Sequence, residues 1–169
     1  MEIRVRETGQ VMFENEWRTW VQTRYSEKIR GLVTPEHLEK YASDPVFEGP
    51  QASGGTVYQY SMRQGVENVN GFWYTKYVLG PIFTDTTAED GTVTTAAENE
   101  AAYKAQRDAQ QADVVRNTRT TKLAECDWTQ LADSPVDKAA WATYRQALRD
   151  VPTQAGFPWN VVWPDQPTV

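Results

Sequence analysis

The residues able to do chemistry are few and poorly placed to do it together. The chain holds one histidine and one cysteine. His37, in "TPEHLEKYA", has no sequence partner for a metal or a nucleophile and reads as a solvated or helix-capping side chain. Cys126, in "AECDW", stands apart from any Cys-X-X-Cys or Cys/His metal spacing and has no second cysteine to join. Ser53-Gly54-Gly55 is not followed by the Lys and Ser/Thr that a phosphate loop requires. Glu98 with Glu100, and Asp133 with Asp137, are carboxylate pairs such as glycoside hydrolysis uses, yet each sits where a helix start takes an acid. Arg145 and Arg149 lie one turn apart and could clamp a carboxylate or a partner's backbone, against a plainer reading as a solvated face paired with Asp150. These residues assemble no nucleophile, no acid–base pair and no metal or cofactor set, so a non-enzymatic protein is expected.

Composition narrows the partners. A net charge of −6 and a pI near 4.9 argue against nucleic acid, whose phosphates need a concentrated excess of Lys and Arg. No apolar run is long enough to span a bilayer, and "MEIRVRETGQ" has no apolar signal core, so no membrane partner is expected. Aliphatic residues are scarce while 12% of the chain is aromatic, with 7 Trp, so the cores of its 169 residues should be small and ring-filled.

The elements that must position these side chains point to an α+β protein: an N-terminal β-rich unit with a hairpin over residues 1–92, a long connecting helix over 93–125, and a C-terminal module over 126–169. "MEIRVRE" alternates Ile3 and Val5 with charged residues and predicts a short edge strand. "VMFENEWRTWVQTRY" spaces Phe13, Trp17, Trp20 and Val21 as a helix does, with strand as the alternative. Thr34 and Pro35 begin a two-turn helix over about 35–42, and the prolines and glycines from Pro45 to Gly55 read as a loop. Asn70-Gly71 predicts a two-residue type I′ turn that places Val69 opposite Phe72 and Glu67 opposite Tyr74, with Gly65 at a bulge.

Thr95 and Glu98 form a capping box that opens the long helix, whose cations gather in its last turns. Ala105, Ala109, Ala112, Arg116 and Leu123 share a narrow stripe, fit either for packing on its own chain or for a partner or a homo-oligomer. A second helix is predicted with Ser134 as cap, Pro135 at the first helical position, and Trp141, Tyr144, Leu148 and Val151 on one face. Pro152 ends it.

The chain then runs through "GFPWNVVWP". Extended, this strap would align Phe157, Trp159, Val161 and Trp163 on one face. Those residues could close a small core, with Trp159 and Trp163 over Trp141, Tyr144 and Trp128, or stay open to grip another protein, as Trp, Tyr and Arg do at interface hot spots. The candidate partner-binding residues are Trp141, Tyr144, Arg145, Phe157, Trp159, Val161 and Trp163.

"CDWTQLADSPVDKAAWATYRQALRDVPTQAGFPWNVVWPDQP", residues 126–167, resembles the C-terminal module of bacteriophage tail assembly chaperone proteins, carrying their DWTQ, WxxYRQxLRD and GFPWNVxWP elements in order. "DPVFEGPQ" and "GFWYTKYVLGPIFTD" resemble segments that precede this module in small phage tail proteins. The resemblance implies a role in building tails or tail fibres, with a tail-fibre or other tail protein as partner and no reaction. It implies action in the host cytoplasm during assembly. It leaves open whether the chain is an assembly factor, transient or retained on its partner, or a permanent subunit of the tail, baseplate or fibre.

Overall fold

Ile3 and Val5 do mark a strand, β1 (Glu2–Val5), but an interior one. The computed structural model describes residues 1–168, and the chain divides into two units, Met1–Ile82 and Phe83–Val169. The long helix belongs to the second unit.

In the first unit a five-stranded sheet has the order β2-β1-β3-β5-β4, with β2 at Val11–Phe13, β3 at Ser43–Phe47, β4 at Tyr60–Val69 and β5 at Phe72–Gly80. β1 is flanked on both sides, antiparallel to β2 and to β3. The expected edge position is thereby corrected: the turn after β1 brings β2 back along one side, and β3 arrives on the other. The expected loop from Pro45 onward is also corrected, since Pro45 lies inside β3 opposite Ile3. The proline is tolerated because the parallel ladder to β5 begins only at Val46, beyond it. The stretch from Val11 uses both periodicities in turn: β2 ends at Phe13 and α1 (Glu14–Tyr25) starts at the next residue, where Glu16 accepts a hydrogen bond from the Phe13 N–H at 2.8 Å.

α1 and α2 (Pro35–Lys40) cover the β1 end of the sheet with a core of Ile3, Val5, Met12, Trp17, Val21, Leu38 and Tyr41. Trp17 is fully buried, meets Tyr41 edge-on at 5.9 Å, and donates from Nε1 to Ser43 Oγ at 2.9 Å, so its polar atom is satisfied. His37 caps α2, its Nδ1 accepting from the Thr34 N–H at 3.1 Å.

The hairpin of β4 and β5 follows the expected register: Val69 opposes Phe72, Glu67 opposes Tyr74, and Gly65 lies at the bulge between Arg63 and Val66. Asn70 and Gly71 both have positive φ, 51° and 87°. Gly71→Val is therefore expected to destabilise the first unit by about 1 kcal/mol or more. Unchanged thermal unfolding would contradict the turn's role.

Hydrogen bonds from Lys40 and Tyr41 hold the Glu27 carboxyl below its ordinary value of 4.5, and Arg6 does the same to Glu39. A carboxylate with a depressed folded pKa stabilises above its unfolded pKa, and that stabilisation is lost as pH falls through the folded value. Denaturation midpoints should thus drop on acidification below about pH 4.5, and Glu27→Gln should make the drop shallower while lowering the midpoint near neutrality. An identical acid limb in the variant would show that Glu27 does not contribute.

Candidate functional site

The second unit is built on α3 (Ala96–Glu125), a helix of 30 residues that opens as its sequence predicts. Thr95 Oγ1 accepts from the Glu98 N–H at 3.3 Å, and Glu98 Oε2 accepts from the Thr95 N–H at 2.8 Å, which lowers the Glu98 pKa. A two-strand ribbon, β6 (Thr86–Thr87) and β7 (Val93–Thr94), precedes it. Asp85 receives the Ala96 N–H at 2.7 Å, and the Asn99 amide donates to the Thr84 carbonyl at 2.9 Å.

Further along, the expected stripe is corrected. Ala105, Ala109 and Arg116 face solvent, while Ala112 and Val115 are buried and Arg119 and Leu123 half-buried. The buried face is rotated because what covers it is the C-terminal segment, whose position no local spacing encodes.

That segment begins with a 3-10 turn at Asp127–Gln130, in which Thr129 is fully buried and donates to the Cys126 carbonyl at 2.6 Å. α4 follows at Lys138–Asp150. Its cap is Asp137, which accepts from the Ala139 and Ala140 N–H groups at 3.0 and 3.1 Å, so the expected start at Ser134 and Pro135 is corrected by one turn. Residues before it are held in turns instead, with the Ser134 N–H on the Leu131 carbonyl and Lys138 Nζ on the Ala132 carbonyl. The predicted apolar face holds: Trp141, Tyr144, Leu148 and Val151 are all buried, and Trp141 meets Tyr144 edge-on at 5.7 Å. Trp163, Leu123 and Val136 pack on the core of Cys126, Trp141, Tyr144 and Leu148.

Arg145 is part of this interior rather than of a solvated face, with only 9% of its surface exposed. Its Nη1 donates to the Leu123 carbonyl at 2.9 Å and to Cys126 Sγ at 3.1 Å, and its Nη2 reaches Asp127 at 2.7 Å. The guanidinium thereby ties α4 to the open carbonyl end of α3, where a cation is favoured. Burial pulls the Arg145 pKa down, but the hydrogen bonds to Asp127 and Cys126 outweigh it and raise the value. Asp150 is engaged by Gln146 at 3.0 Å instead.

The strap does not run extended along its whole length. The Asn160 N–H donates to the Gly156 carbonyl at 2.6 Å, closing a turn that contains a cis Phe157–Pro158 peptide. A side chain at Gly156 would put its Cβ 2.0 Å from the Asn160 carbonyl oxygen, so the turn needs glycine there. Beyond it, Gln154 acts as a two-point clamp: its Nε2 donates to the Val162 carbonyl and its Oε1 accepts the Val162 N–H, both at 2.7 Å.

The one-face row of Phe157, Trp159, Val161 and Trp163 is therefore replaced by three separate dockings on α3. Trp159 Nε1 donates to Asp108 Oδ1 at 2.6 Å, with Arg107 6.0 Å from the ring centre. Arg116 stands 5.5 Å from Phe157, and Lys122 5.7 Å from Trp163. Each ring thus has a cation near it. Trp163 joins the Trp141 core, whereas Trp159 is placed on α3 at Asp108. Phe157, Trp159, Val161 and Trp163 all keep part of their surface in solvent.

Residues 112–168 match the family model described as phage tail assembly chaperone protein. The match begins at Ala112, the first buried residue of α3, and takes in the 3-10 turn, α4 and the strap. The matched segment is thus wider than residues 126–167: it includes the part of α3 against which α4 and the strap fold. The match supports a role in phage tail assembly. No curated protein and no solved structure matches the chain. Among the described residues no three His, Cys, Asp or Glu side chains group as a metal site, and no helix is long and apolar enough to cross a membrane.

Within the matched segment, Trp141, Tyr144 and Arg145 are buried in the core on which the strap rests. Sequence reasoning missed Asp108 and Gln154. The Trp159 contact joins residues 51 apart, and nothing local in the sequence signals it. Trp141→Ala is expected to cost about 3–5 kcal/mol, seen as loss of cooperative unfolding in the second unit. Asp127→Asn, at an exposed carboxylate, should cost under about 1 kcal/mol. Equal effects of the two would contradict the core assigned to Trp141.

Proposed function

We propose that this chain is a non-enzymatic phage tail or tail-fibre assembly protein that binds a tail protein through the outer face of its strap. The observation that carries the reading is the strap's state: Phe157, Trp159 and Trp163 lie on α3 and, with Val161, keep part of their surface in solvent, inside the segment matched to the assembly chaperone family. Rigid, partly exposed aromatic rings beside arginines are what interface hot spots use, and anchoring them beforehand reduces the ordering cost of binding. Trp141, Tyr144 and Arg145 contribute by fixing that surface. The binding takes place in the host cytoplasm during assembly, and the chain remains on its partner.

The test is capture of the phage's tail and tail-fibre proteins, purified one at a time, by the full chain. Trp159→Ala should weaken capture by about 2 kcal/mol while leaving circular dichroism near that of the parent. A stable Trp159→Ala variant that captures the same protein at full affinity would remove the strap from the interface. Stoichiometric recovery of the chain from purified virions is expected if it stays attached, and its absence there would make it a transient factor.

A further inference from the structure

The cations near the strap differ in what they meet. Arg116 Nη1 reaches Asp113 at 3.2 Å. Arg107 makes one long hydrogen bond, to Gln110 Oε1 at 3.4 Å, and Lys122 faces the Trp163 ring; neither has an ion-pair partner among the described residues. Arg107, Gln111, Val114, Thr118 and Lys122 recur at helical spacing and therefore lie along one flank of α3. Between Arg107 and Lys122 no acid falls on that flank, the nearest on it being Glu125 one turn beyond Lys122, and neighbouring Asp108 is engaged by the Trp159 indole. A cleft of about 220 Å³ opens on it, lined by Arg107, Gln110, Gln111, Val114 and Trp159, with Val114 57% exposed. In a chain of net charge −6 this stretch from Arg107 to Lys122 carries cations and no acid, and it borders the half-buried strap.

We propose that this flank receives an acidic segment of the partner tail protein. Its carboxylates meet Arg107 and Lys122, and one apolar side chain enters the cleft against Val114 and Trp159. Fifteen residues of helix separate the two cations by about 22 Å, the length of roughly seven extended residues. The proposal rests on the strap being the partner-binding surface and adds the chemistry of what binds.

The probe is an eight-residue peptide of glutamates with one central leucine, titrated into the isotopically labelled full chain, with a lysine peptide of the same design as control. The glutamate peptide should shift the amide signals of Arg107, Gln110, Gln111 and Val114 and the Trp159 indole signal, with an affinity that falls as salt rises. Arg107→Glu with Lys122→Glu should weaken binding at least tenfold, and the milder Arg107→Gln with Lys122→Gln should do so partially with the fold intact. No shift at about 1 mM peptide, equal binding of the lysine peptide, or shifts confined to other residues would overturn the proposal. So would sedimentation showing that a second copy of the chain occupies the flank. A charge-reversed chain that captures the purified tail protein at full affinity, while Trp159→Ala does not, would overturn this proposal and leave the strap reading standing. Capture undiminished by either variant would overturn both.

Discussion

A helix of thirty residues that buries only Ala112 and Val115 cannot be held down by its own apolar surface, and the second unit is organised around that shortage. Two contacts supply what the helix lacks. Arg145 on α4 takes the open Leu123 carbonyl and Cys126 at one end, and Trp159 on the strap donates to Asp108 about two turns upstream of Val115. Between them the strap lays Phe157 and Trp163 near Arg116 and Lys122. The aromatic C-terminus is therefore a structural requirement of α3 first. Its rings nonetheless stay incompletely buried.

This order of causes explains why some elements could be read from the sequence and others could not. Asn70-Gly71, Thr95 with Glu98, and the Trp141, Tyr144, Leu148 face each depend on residues within about one or two helical turns of one another, and all three stand as expected. The interior position of β1 depends on β3 nearly forty residues away, and β3 itself is disguised by Pro45. Arg145 looked like a surface residue because its partners are Leu123, Cys126 and Asp127, about twenty residues back. The strap misled for a different reason. Alternation along Phe157, Trp159, Val161 and Trp163 assumes a straight backbone, and the turn from Gly156 to Asn160 breaks it.

The first unit is assembled by a separate logic, with one fully buried tryptophan, Trp17, satisfied by Ser43 and set among Ile3, Val5 and Val21. Beyond its helices the same sheet exposes Phe47 and Phe72 in edge contact at 6.2 Å. The family match covers none of this unit.

Hydrogen–deuterium exchange of the full chain, with and without the purified tail protein it captures, tests the central claim most directly. The account predicts added protection at backbone amides around Trp159 to Trp163 and along the middle of α3, with the β4–β5 hairpin unchanged. Protection confined to the hairpin, or faster exchange in the strap on binding, would contradict it.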